Sequence, residues 1–392
     1  MRRNVGGAVS PCRTSKLPCA LVRGVMPGSA FLARSPAGNI LVLDGESETQ
    51  PRRRIMRSTQ RANRFSLFMV KPISAVIAAF FLCLLPVMAG AQESEAADSF
   101  VALSGGKIWY QIKGQGEPIV LIPGGPGSSH CVFVPWFDNL AVDFKVIYFD
   151  ALGRGKSSRA KNKEEYSLQR DVDDLEGLRK ALALRKWSVL GHSYGGVVAQ
   201  AYALKYPDSV AKLILVDTLY DAEMWQANDD NFNYEFKNQF PERWEKLMAV
   251  RNQGHKSSSP EHVKAYDIPL GLMFFYDASN ASKLGQDMSN PLDFNWDVYY
   301  QICGDDADFE IGGEIAKFDF KKDLKNLRMP VLIIAGRYDR VSIPRFAVKY
   351  KDYAPQAEFV MLEKSGHFPF VEERDKFMEV VSRFLAGRMR SI

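Results

Sequence analysis

The chain has 392 residues, 46% of them hydrophobic and 25% charged, a composition that supports a large core and excludes disordered, collagen-like and coiled-coil chains. The formal net charge is +5, yet residues 1–91 hold thirteen Lys/Arg against three Asp/Glu, and the body from 92 onward is net acidic. The basicity belongs to the leader, so overall charge makes no case for a nucleic-acid partner.

Residues 72–92 carry no charge, follow Arg61, Arg64 and Lys71, and finish in the small residues Ala89, Gly90 and Ala91. That order predicts a secretory signal peptide cut after Ala91, giving a periplasmic or secreted body with no stable membrane insertion. The competing reading is an uncleaved anchor, because 21 uncharged residues could just span a bilayer. Residues 1–55 show no helical or strand period, and the expected start of the signal is Met56 or Met69, with the upstream part disordered or spurious. Of five cysteines, only Cys131 and Cys303 fall in the body, where they could pair in an oxidising compartment. The cysteines lack CxxC spacing and the histidines are scattered, so neither a metal nor another cofactor is expected.

In the body, GKIWYQIK (106–113) alternates as a strand and stops at a glycine turn. Ile119–Ile122 and Lys145–Asp150 are short apolar strands of the kind that parallel sheets bury. Residues 167–183 place Leu168, Val172, Leu175, Leu178 and Leu182 on one helical face, with Ser167 as N-cap. A strand at Trp187–Leu190, a helix at Gly195–Leu204 and a strand at Lys212–Val216 follow. Strand rhythm then stops from about 221 to 327, too long for a loop, and resumes at Val331–Ala335 and Phe359–Leu362 before a helix over Glu372–Leu385. The prediction is an α/β fold, a mostly parallel central sheet flanked by helices. Its core is 92–220 plus 328–392, and a helical cap (221–327) is inserted after the sixth strand. The cap aromatics Trp225, Phe232, Phe236, Phe274, Phe275 and Tyr276 are expected to wall an apolar pocket.

Gly191-His192-Ser193-Tyr194-Gly195-Gly196 joins a strand to a helix, the context a nucleophile elbow demands. A serine hydroxyl needs a base, and His367, in SGHFP after the last strand, is the candidate. His192 belongs to the elbow, His130 to the first glycine loop, and His255 and His262 to a polar insert where solvation is expected. Asp339, after VLIIA, is the candidate acid that fixes the imidazole, with Asp217 the runner-up. Backbone N–H groups of Tyr194 and Gly125 are the candidate oxyanion donors. The turn Asp150–Ser157 lacks the spacing of a phosphate loop and is read as structural.

These motifs (PGGPG, D-x-x-G-x-G-x-S, GHSYGG, GRYD, SGHFP) make residues 100–388 resemble the α/β-hydrolase superfamily, and PGGPG at 123–127 is similar to the HGGPG loop of proline iminopeptidases, with Pro123 where that family has His. The resemblance implies a metal-free aminopeptidase acting through Ser193, Asp339 and His367 and an acyl-enzyme, with Gly125 and Tyr194 at the oxyanion. It also implies cap carboxylates for the substrate's α-ammonium; Glu223 and Glu261 are the candidates. The expected partner is a short peptide or other small molecule. The alternative is a carboxylesterase or lactonase acting on a small apolar ester. A binding protein that had lost catalysis would show a substituted Ser193 or His367, and neither is substituted.

Overall fold

The computed structural model describes residues 98–388; the signal peptide expected to end at Ala91 lies outside them. Eight strands form one sheet in the order β1-β2-β4-β3-β5-β6-β7-β8. β1 (Ser99–Leu103), which sequence periodicity did not reveal, and β2 (Gly106–Lys113) run antiparallel at one edge. β3 (Glu117–Ile122), β4 (Phe144–Asp150), β5 (Trp187–His192), β6 (Val210–Val216), β7 (Val331–Gly336) and β8 (Glu358–Leu362) run parallel to one another.

The apolar runs read as buried strands are buried because helices cover both faces of the sheet. One side packs α1 (Leu168–Ala181) and α2 (Tyr194–Lys205) over Val120, Ile147, Val189 and Leu215. The other packs the closing helix, Arg374–Leu385, through Phe377, Val381 and Phe384 onto Leu121, Ile214 and Ile334. Ser167 caps α1 by accepting from Arg170 N–H at 3.1 Å.

Between β6 and β7 lie α3 (Ala222–Gln239), α4 (Pro241–Arg251), α5 (Pro260–Ala265), α6 (Leu270–Phe274) and α7 (Trp296–Cys303). This segment has a small core of its own around Phe236, Leu247 and Met273. No helix among the described residues is long and apolar enough to cross a membrane. Cys303 is a free, buried thiol, so the pairing with Cys131 allowed by the sequence does not occur.

The parallel strands all point their C-terminal ends the same way. The loops after β3, β5, β6, β7 and β8 therefore converge on one sheet edge, where open α/β sheets bind ligands.

Candidate active site

The turn from β5 into α2 is set by its glycines. A Cβ on Gly191 would collide with the carbonyl of Gly195, and one on Gly195 with the carbonyl of Ile122. Between them Ser193 is held at φ 55°, ψ −125°, a conformation that L-residues avoid and that a surrounding structure must enforce. Three hydrogen bonds enforce it. Ser193 N–H donates to Val216 O at 3.0 Å, and Ser193 O accepts from Gly196 N–H at 2.8 Å and from Thr218 Oγ1 at 2.6 Å. Tyr194 opens α2, in the first turn, whose N–H groups have no acceptor within the helix.

His367 follows β8. Its Nδ1 lies 2.8 Å from Asp339 Oδ2, and Asp339 Oδ1 accepts the N–H groups of Val341 at 2.7 Å and Ser342 at 2.8 Å. Both residues are buried. The backbone of His367 is fixed from two sides. Its N–H donates to Phe274 O of the cap at 2.7 Å, and its carbonyl accepts from His192 Nε2 at 2.7 Å. Burial, with the His367 ring close by, pushes His192 well below the usual imidazole range, so His192 is neutral with its proton on Nε2. Asp217, the runner-up acid, makes no hydrogen bond to His367; its Oδ1 accepts the N–H of Gly336 at 2.7 Å.

The glycine loop after β3 passes directly over the elbow: a Cβ on Gly124 would lie 2.7 Å from the Cβ of Ser193. Gly125 has φ +36°, and the Phe294 ring packs where its side chain would be. The turn Asp150–Ser157 anchors this loop. Arg154, buried, donates from Nε to Pro126 O at 2.6 Å and clasps Asp171 with two hydrogen bonds of 2.6 and 2.8 Å. Tyr194 Oη donates to the same carboxylate at 2.9 Å. A single buried ion pair thus ties the glycine loop to the elbow. His130 is held by Asp150 at 3.0 Å and stacks on Trp109.

A cavity of about 500 Å³ opens above Ser193, with Gly125 and His367 in its wall. Of the six cap aromatics expected there, Trp225, Phe232 and Phe274 line it. Phe236 sits instead in the cap core, Phe275 is buried against Phe368, and Tyr276 is exposed and packs on Tyr338. Phe294, Trp296, Tyr299 and Tyr300 complete the wall.

The two proposed cap glutamates are not in it. The Glu223 side chain is 88% exposed and pairs with Lys321, and that of Glu261 is 55% exposed and faces His255 at 3.3 Å. Each stands on a solvent-facing side of a helix start, where acidic residues are commonplace. The carboxyls that line the cavity are Asp229, Asp308 and Asp267, the last 72% exposed and paired with Arg243. Burial, with the neighbouring charge of Asp308, raises Asp229 well above the usual carboxylate range. Burial pushes Asp308 up to about 7. Asp229 Oδ2 is shut away without a hydrogen-bond partner; of the cations nearby, Arg251 is occupied by Asp306, and Lys264, in the cavity wall, is exposed to solvent. His262, 3.7 Å from Asp308, is fully buried rather than solvated, and burial lowers it to about 4, so it brings no charge. The sequence held one signal for Asp229. Trp225, Asn228, Asp229 and Phe232 share the i, i+3, i+4, i+7 face of α3, an acid on a face otherwise fit to be buried.

A family model of the α/β hydrolase fold matches residues 117–267. The proline iminopeptidase of Clostridium botulinum is 31% identical over 290 residues, covering 71% of this chain and 94% of that one. The chain belongs to the α/β-hydrolase family. Within this family, the chain is also 29% identical over 291 residues to the proline iminopeptidase of Heyndrickxia coagulans, covering 74% of this chain and 98% of that one. The structure of an α/β fold family hydrolase from Bacillus anthracis superposes with a TM-score of 0.57 at 27% identity, over 73% of this chain and 98% of that one. As an α/β-hydrolase, the protein is a hydrolase.

Proposed function

We propose that this hydrolase is an exported serine aminopeptidase of the proline iminopeptidase type, working through an acyl-enzyme. Ser193 Oγ attacks the scissile carbonyl, and His367 Nε2 takes its proton and then delivers it to the leaving amine. Asp339 holds the ring by Nδ1 and stabilises the imidazolium. The oxyanion forms against the N–H groups of Gly125 and Tyr194, donors fixed before substrate arrives and so costing no reorganisation. Water then attacks the ester of Ser193 by the same route in reverse. Export rests on the charge-free run 72–92 and its small-residue exit.

The observation that carries the peptidase reading is the pair of sheltered carboxyls, Asp229 and Asp308, in the wall of the cavity that holds Ser193 and His367. A neutral ester gives them no cationic partner. A substrate with a free α-ammonium does, and a desolvated cation and a desolvated anion each need the other. The similarity to proline iminopeptidases supports the same choice.

The test is a panel of prolyl- and other aminoacyl-arylamides alongside short-chain esters. Replacing Asp229 and Asp308 by Asn, singly, should lower kcat/KM for the arylamides by about 10- to 100-fold, the worth of a hydrogen bond to a charged group, and leave esters within about threefold. Brisk ester hydrolysis without arylamidase activity, and indifference to both substitutions, would instead establish the esterase or lactonase reading.

A further inference from the structure

The runner-up acid, Asp217, is left without a task by the triad, yet the chain goes to some length to place it. It ends β6 at φ +42°, a left-handed conformation shared by only two other non-glycine residues among those described. Its N–H donates to Ile334 O at 3.0 Å, and Oδ1 accepts the N–H of Gly336 at 2.7 Å, so the side chain is pulled across onto β7. Three residues past Gly336 stands Asp339, near enough for its carboxyl to act on that of Asp217 through charge and through a side-chain hydrogen bond. Asp217 is 2% exposed, and its other oxygen, Oδ2, is buried with no N–H or O–H group donating to it.

Two carboxyls in contact away from water cannot both ionise, because the repulsion is unscreened. One must keep a proton, and the surrounding donors decide which. Asp339 accepts three N–H groups: those of Val341 and Ser342, and Nδ1 of His367. Asp217 accepts one, at Oδ1. The proton therefore rests on Oδ2 of Asp217. Burial and the Asp339 charge both push the Asp217 carboxyl upward, which agrees with that placement; the Gly336 N–H opposes them, and Glu372, the other acid acting on it, pushes the same way.

We propose that Asp217 is a positioning residue: as a neutral carboxylic acid it donates a hydrogen bond from Oδ2 to the Asp339 carboxylate and holds it in register with His367. This rests on the Ser193–His367–Asp339 reading. The acid donates without adding charge. It fills the last acceptor site of Asp339 and keeps that carboxylate from rotating away from the imidazole. It also draws electron density from Asp339, which limits how strongly Asp339 stabilises the imidazolium.

Asn at 217 keeps both functions, since its carbonyl accepts from Gly336 and its NH₂ donates to Asp339; Leu keeps the approximate volume and neither. The experiment compares Asp217→Asn and Asp217→Leu with Ser193→Ala and Asp339→Asn, all checked for folding by thermal denaturation. It measures kcat, KM and the acid limb of the kcat/KM–pH profile on whichever arylamide or ester the enzyme turns over. Asp217→Leu should lower kcat by about tenfold or more, leave KM within about threefold, and move the acid limb to higher pH as imidazolium becomes better stabilised. Asp217→Asn should keep kcat within tenfold of wild type and restore the limb.

The proposal is overturned if Asp217→Asn is as damaged as Asp339→Asn, which would make Asp217 an ionised partner of the base. It is also overturned if Asp217→Leu leaves kcat and the limb unmoved, or lowers kcat without moving the limb. Should Asp217→Leu not fold, the Asn variant decides alone. The triad reading fails separately, if Ser193→Ala or Asp339→Asn retains turnover.

Discussion

Replacing Arg154 by Met tests how the glycine loop and the elbow are held together. The wild-type pair is almost wholly buried, with side chains 3% and 4% exposed at Arg154 and Asp171. Burial by itself would lower the Arg154 guanidinium, and Asp171 more than offsets it. On the acid side burial prevails, and Arg154 recovers only part of the cost to Asp171. Such a pair stabilises little as a unit, but removing one member strands the other, at about 3–5 kcal/mol. For a body of this size that corresponds to a fall in Tm of about 6–15 °C. The Tyr194 hydroxyl, the carboxylate's remaining side-chain donor outside the arginines, does not substitute for a cation. In Arg154→Met/Asp171→Leu no charge is stranded, and at least half of the lost Tm should return. Activity should stay low in both variants, because each removes the anchor that Arg154 gives Pro126 beside Ser193, and the double variant also removes the Asp171 partner of Tyr194. Calorimetry with parallel kcat measurements reads both effects. A fall of less than 2 °C in the single variant, or a double variant no more stable than the single, would refute the reasoning.

Ser193→Ala should cut turnover by about 10⁴-fold or more while preserving Tm, with His367→Ala close behind because the residues act as a unit; a serine-directed fluorophosphonate should label wild type and not Ser193→Ala, as intact mass spectrometry would show. Arylamide KM should depend on pH through Asp308. Its carboxyl stands at about 7 in the empty cavity, and an ammonium binds the ionised form, so the bound-state value lies lower. Affinity is then full between pH 7 and the pKa of the substrate's own ammonium, and below pH 7 it is lost by up to about tenfold per pH unit. Ester KM should stay flat, Asp308→Asn should remove the slope, and a slope that survives that substitution would place the titration elsewhere.

What the sequence disclosed and what it concealed divide along a physical line. The elbow was legible because its glycines answer to local collisions, and local collisions leave a local signature. Asp339 and His367 were legible because each follows an apolar strand of a parallel sheet, whose C-terminal ends must gather at one edge. Asp229 and Asp308 were not. They meet only after α3 and the loop following α7 have packed across the sheet, and no short-range pattern records that. Glu223 misled because it starts a helix, where acids are common; Asp229, six residues on and about 120° away round the axis, faces the cavity. His262 misled similarly: its polar neighbours suggested solvent, but α5 turns it inward against Tyr266 and Phe309. β1 escaped notice because its outward positions, Phe100 and Ala102, are apolar, so SFVAL does not alternate in polarity although its burial does.

Both backbone polar groups of His367 are taken, one by Phe274 of the cap and one by His192 of the elbow. A segment between β6 and β7 that swung open as a rigid lid would leave the buried N–H of His367 without its acceptor, Phe274 O, and would loosen the imidazole. If His367 is the base, as proposed, the segment between β6 and β7 is part of the frame that holds it. A cap transplanted from a relative would have to present a carbonyl where Phe274 does, whatever else it brought.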